Sequence, residues 1–106
     1  MSELLEQQTA LAESVNSMCL DLFDRWCEAR SVIPLAYLMH TWPIVTPTLP
    51  TMARLSRTLR ELVIYHQHTL EHDDRLIIEG VISIVGDAWL RRDSDLPWSR
   101  DLRTTN

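Results

Sequence analysis

Apolar residues in the first thirty positions return at three- and four-residue steps: Leu4, Leu11, Val15, Met18, Cys19, Leu22, Trp26 and Ala29. At about 100° per residue they form one stripe, while Glu3, Glu6, Glu13, Asp21, Asp24 and Glu28 fall on the opposite side. The pattern predicts a long amphipathic helix over about residues 3–29. Much of the stripe also fits a heptad seam. Leu11, Val15, Met18 and Leu22 are therefore candidates for pairing with a second copy, with plain core packing as the competing reading.

The rest of the chain reads as three more helices. Ser31 and Pro34 suit the start of a short helix, and Pro43 disfavours helical geometry at Trp42, which sets its span at residues 31–42. Leu35, Leu38, Met39 and Trp42 share one face of it, and Ile33, Ala36, Tyr37 and His40 share the other. A helix apolar on both sides is either sandwiched in the core or keeps one face for a partner. The stretch TWPIVTPTLPT, with prolines at 43, 47 and 50, is the principal connection. A third helix starts near Thr48 or Thr51 and runs to about Glu71, with Leu55, Leu59, Leu62, Val63, His66 and Leu70 lining its inner side. Asp73 and Asp74 are capping candidates for a fourth helix that reaches about Leu90.

That fourth segment, LIIEGVISIVGDAWL, contains β-branched residues and two glycines that would suit strands. Ile77, Val81, Ile84, Val85 and Ala88 nevertheless keep a helical period, no turn dipeptide marks a hairpin, and no other strand exists to pair with. Its apolar arc also takes in Ile78, Ile82 and Trp89. Such a wide arc makes Ile78 and Ile82 further candidates for a dimer interface. The expected architecture is all-α: a compact four-helix domain over residues 1–92, with a loosely ordered polar tail over 93–106 and a dimeric state. The tail's apolar residues are Leu96, Trp98 and Leu102.

Composition excludes several classes of function. The chain of 106 residues has no lysine, which removes Schiff-base chemistry and the phosphate-binding lysine of nucleotide loops. Its only glycines, Gly80 and Gly86, cannot build a glycine-rich phosphate cradle. A net charge of −5 argues against bulk nucleic-acid binding and anionic membrane surfaces. The acidic, amphipathic N-terminus lacks the basic start and apolar run of a signal peptide, so the expected location is cytoplasmic. Cys19 and Cys27 lie about 12 Å apart on one helix, too far for a disulfide, and are expected to be reduced and at least partly buried.

The stretch YHQHTLEHDD, residues 65–74, is the one that most resembles a chemical site. On a single helix His66 falls on the leucine side, whereas His68 and His72 fall on the solvent side. They do not converge, and an i, i+4 pair alone is half of a metal site. No metal, cofactor or small-molecule substrate is expected, and no catalytic residue is assigned: no glycine elbow flanks a serine, and capping accounts for the adjacent Asp73 and Asp74.

Arg54, Arg57 and Arg60 form a basic strip on the solvent side of the third helix, in a stretch (31–60) that has no acid. An acidic protein surface would match it, the acid face of the first helix in a second copy among the candidates. The sequence therefore reads as a non-enzymatic protein-binding regulator or adaptor. In this reading Leu35, Leu38, Met39 and Trp42 cover a partner's groove while Arg54 and Arg57 orient an acidic rim, altering the partner's assembly. An antiactivator that blocks dimerisation of a transcription regulator has this profile. The alternatives are a small helix-turn-helix-like DNA-binding regulator and a secretion-type chaperone.

Overall fold

A computed structural model describes residues 2–94, with side chains described over 7–91. Four helices follow one another: α1 (Ser2–Ala29), α2 (Val32–Thr41), α3 (Leu49–His66) and α4 (His72–Ser94), with a 3-10 turn at Gln67–Thr69 between the last two. The described residues contain no strand. The β-branched fourth segment is helical, as its period requires, and it runs on to Ser94, past the expected end near Leu90 and past the expected domain limit at residue 92. The tail's Leu96, Trp98 and Leu102 lie outside the described residues.

Local chemistry sets the helix ends. At the end of α1 the Ser31 N–H donates to the Trp26 carbonyl at 2.8 Å, and the Arg30 N–H donates to Cys27 at 3.2 Å. This crossed pair places Arg30 in the left-handed region with φ 56°, the position usually given to glycine. Ser31 and Thr48 occupy the N-cap positions of α2 and α3, although neither side chain caps. The Thr48 and Thr51 hydroxyls bond each other instead at 2.9 Å. The Trp42–Pro43 peptide in the α2–α3 connection is cis.

The expected continuation of α3 to Glu71 is corrected. The α-helix stops at His66, whose φ of −137° leaves helical space, and the Thr69 hydroxyl donates to the His66 carbonyl at 2.7 Å. Asp73 and Asp74 do not precede α4 but lie in its first turn. Glu71 stands at the N-cap, and its N–H donates to Asp74 Oδ2 at 2.9 Å. That is the return half of a capping box, and it satisfies a donor that the helix itself leaves open.

Side chains from all four helices meet in one core: Val15, Cys19, Leu22 and Trp26 of α1, Leu38 of α2, Met52, Leu55, Leu59 and Leu62 of α3, and Ile78, Val81 and Val85 of α4. α1 packs chiefly against α2 and α4, and α3 against the same two, so α1 and α3 stand diagonally across the bundle. Among the described residues, no helix is long and apolar enough to cross a membrane.

Candidate protein-docking site

The diagonal arrangement leaves a groove of about 640 Å³ along the outer junction of α3 and α4. Its floor is apolar. Ala53 contributes from α3, and Ile82, Val85, Trp89 and Leu90 contribute from α4, with Gly86 in the middle. A Cβ added at Gly86 would meet nothing within 4 Å, so this glycine deepens the groove. Arg54, Arg57 and Arg60 line the α3 side. They recur at every third position, about 4.5 Å of helix rise apart, which keeps them along one edge.

All three arginines are exposed, and among the described residues no carboxylate lies within ion-pair distance of any of them. The lining contains no acid, imidazole or thiol, and Ser56 is its one hydroxyl. Glu61 lies on the exposed side of α3 one residue beyond Arg60 but does not line the groove. The groove thus offers apolar burial beside planar guanidinium donors, the combination that holds an amphipathic segment with carboxylates on its flank.

A second cleft of about 340 Å³ adjoins the first at Arg54. Met39, Trp42, Pro43 and Val45 line it, and Arg54 is common to both. The sequence-predicted site residues therefore separate. Met39, Trp42, Arg54 and Arg57 line these two joined clefts. Leu38 does not belong there: it has no exposed surface and is a core residue. Leu35 is half-buried and packs against that core. The face of α2 turned to solvent carries Val32, Ile33 and Met39 instead, with 74%, 40% and 59% exposure. Trp42 is also partly committed inward. Its indole N–H donates to Asn16 Oδ1 at 2.9 Å and its ring lies 5.7 Å from Phe23, which ties the proline-rich connection to α1.

The expected dimer seam is corrected as well. Val15, Leu22 and Ile78 have no exposed surface, and Leu11, Met18 and Ile82 are partly buried against the core. The stripe on α1 finds its partners within the chain, on α2 and α4. Of the six, Ile82 alone lines the groove.

The histidines of residues 65–74 do not share a helix, because α3 ends between them. His66 is half-buried and lies edge-on to Tyr37, with ring centroids 5.3 Å apart, while His68 and His72 are exposed. Among the described residues, no group of three or more His, Cys, Asp or Glu side chains is placed to hold a metal ion. The segment's main polar partnership is with α1. Arg25 Nε donates to Asp74 Oδ1 at 2.7 Å, and Arg25 Nη2 lies 3.5 Å from Glu71 Oε1. Burial by itself would push the Asp74 pKa up. The Glu71 N–H, the Arg25 guanidinium and the nearby Trp26 indole together outweigh burial and hold it below the ordinary carboxylate value. The enclosed Trp26 Nε1 faces this carboxylate without reaching hydrogen-bond geometry. Arg25 is in turn raised, first by its bond to Asp74.

The two cysteines also differ. Cys19 is buried and its thiol is pushed up to about 12 by burial. Cys27, expected to be partly buried, is exposed because it falls on the outer side of α1.

No protein-family model, curated protein or solved structure matches this chain.

Proposed function

We propose that the chain is a non-enzymatic protein-binding regulator whose α3/α4 groove receives an acidic amphipathic helix of another protein. The carrying observation is the groove's composition: three arginines and no acid beside an apolar floor, in a chain whose net charge is −5. An amphipathic helix usually assembles through its apolar stripe. A helix laid in this groove would have that stripe covered, so capture and blocked assembly follow from one contact. The antiactivator profile is the form of regulator that fits best. Met39 and Val45 in the adjoining cleft extend the apolar contact past Arg54.

DNA binding relies on the same arginines but fits the site less well. A phosphate backbone has no use for the apolar floor. The α2–α3 connection, residues 42–48, is also longer than the roughly 3–4-residue turn of a helix-turn-helix.

The test is an amide and indole NMR titration with two synthetic helices that share an apolar stripe, one flanked by Glu and the other by Gln. The Glu helix should shift Arg54, Arg57, Gly86 and the Trp89 indole, and it should bind at least tenfold more tightly than the Gln helix. Replacing Arg54 and Arg57 with Ala should remove most of that difference, which high salt should also remove. Shifts confined to other faces, or equal binding of the two helices, would overturn the reading. Salt-dependent retention of duplex DNA in place of peptide binding would favour the nucleic-acid alternative.

A further inference from the structure

The groove has a matching surface within the same sequence. The outward side of α1 exposes Glu13, Asp21, Asp24 and Glu28. Arg25, the one basic residue in α1, is drawn away to Asp74. Asp21, Asp24 and Glu28 follow one another at three- and four-residue steps, spanning about 10.5 Å of rise. Arg54, Arg57 and Arg60 span about 9 Å by the same measure. The difference is well within the reach of these side chains. Leu20 lies in the acidic stripe and is 48% exposed, the one large apolar side chain among the described residues of α1 left so open. Its counterpart would be the floor beside Gly86, at Ile82 and Trp89.

We infer that the acidic stripe of α1 from a second copy docks in the α3/α4 groove, with Leu20 on the floor and Asp21, Asp24 and Glu28 along the arginine edge. This rests on the reading of the groove as a helix-docking site and names an occupant from the chain itself. The fold also dictates the symmetry. α1 and α3 are diagonal, so the stripe and the groove lie on different sides of one copy. One copy cannot fill its own groove, and a two-fold pair cannot satisfy both surfaces reciprocally. The contact runs head to tail, and any assembly short of a closed ring keeps a free groove at one end and a free stripe at the other. Self-association then competes with a foreign acidic helix for the same groove, so the fraction of open grooves falls as the protein becomes more concentrated.

The experiment is sedimentation velocity between roughly 1 and 200 µM, with circular dichroism to verify that each variant is folded. The wild-type mass should rise with concentration past that of a dimer and return toward monomer in high salt. A stripe variant (D21N, D24N, E28Q) and a groove variant (R54A, R57A, R60A) should each stay monomeric. An equimolar mixture of the two retains one intact contact, so it should form a heterodimer and stop there. A wild-type protein that stays monomeric overturns the inference, as does self-association in either folded variant or a mixture that remains monomeric. The stripe variant, whose groove is intact, is also titrated with the Glu-flanked helix. If the wild type does not self-associate while the stripe variant binds this helix, self-docking alone is refuted. A wild type that does not self-associate, together with a stripe variant that does not bind the helix, refutes the docking groove itself.

Discussion

Replacing Gly86 probes whether the α3/α4 groove is open, because the residue sits inside α4 yet faces that space. Glycine in a helix interior is less favourable than alanine by about 0.8–1 kcal/mol. A Cβ there has no neighbour within 4 Å, so no steric cost opposes the gain. Gly86→Ala should therefore stabilise the domain by about 1 kcal/mol, which at this size raises the melting temperature by roughly 4–8 °C. Gly80 provides the comparison. A Cβ added there would lie 3.6 Å from Met18 Cε and 3.7 Å from Met18 Sδ, ordinary van der Waals contact, so Gly80→Ala should gain a similar amount. The two sites are about 9 Å apart along the helix, and their effects should add within about 0.5 kcal/mol. Gly86→Trp should fold with near wild-type stability, since tryptophan is no worse than glycine in a helix, and it should fill the groove and abolish binding of the acidic helix. Thermal melts followed by circular dichroism, at low protein concentration, read the first effect and the peptide titration reads the second. A lower melting temperature for Gly86→Ala would mean that the space is occupied. Undiminished peptide binding by Gly86→Trp would move the docking site elsewhere.

Asp74→Ala removes a carboxylate only 5% exposed that holds the start of α4 and pairs with Arg25. With Arg25 itself 34% exposed and able to reach water, the expected loss is about 2 kcal/mol, read from urea midpoints. Because the folded Asp74 pKa is lowered, its contribution is complete above the unfolded value of about 3.9 and is lost as pH falls through the lower folded value. The wild type should therefore lose its advantage over Asp74→Ala below about pH 4, and a constant difference across that range would refute the assignment. Arg30→Gly relieves a left-handed residue, φ 56°, and should raise stability by about 0.5–1 kcal/mol in the same assay. At neutral pH a maleimide should modify Cys27 quickly and Cys19 only after unfolding, since burial withholds both the thiolate and access at Cys19. Equal rates, followed by mass spectrometry, would contradict the packing of α1.

The class of fold was legible because period is a local property. Leu22 and Trp26 face the core for the reason that places them four residues apart. What the sequence left open was which neighbour an apolar stripe meets. A heptad-like seam on α1 looks the same whether its partner helix comes from this chain or from another, and here α2 and α4 supply it. α2 is apolar all round, so its period could not say whether Leu38 or Met39 faces inward; the position of α3 decides in favour of Leu38. The end of α3 is not legible in the sequence, because Gln67, His68 and Thr69 do not break a helix by propensity. The Thr69 hydroxyl and the Glu71–Asp74 bond redirect the chain at that point. The arginine edge of the groove could be read from Arg54, Arg57 and Arg60 alone. Its floor could not, since Ile82, Val85 and Trp89 come from a segment more than twenty residues away. The one trace of it was an apolar arc on the fourth helix wider than a single core face requires.

Arginine serves two separable purposes in this chain, and the separation bears on how docking can be controlled without loss of the fold. Arg25 is bound to a carboxylate 5% exposed, and that bond closes the first turn of α4 onto α1. Enclosed charge pairs of this kind are screened weakly by salt. Arg54, Arg57 and Arg60 stand in solvent, with no carboxylate of the described residues within ion-pair distance, so no ion pair among those residues uses their charge. Their attraction for an acidic partner is long-ranged, and salt screens it strongly. Ionic strength should therefore move occupancy of the groove while leaving the helices intact. The acidic stripe of α1 has the same independence, since Asp21, Asp24 and Glu28 take part in no ion pair among the described residues. The charges on both sides of the inferred self-contact thus enter no ion pair of the described residues, which leaves them to be set by what they bind.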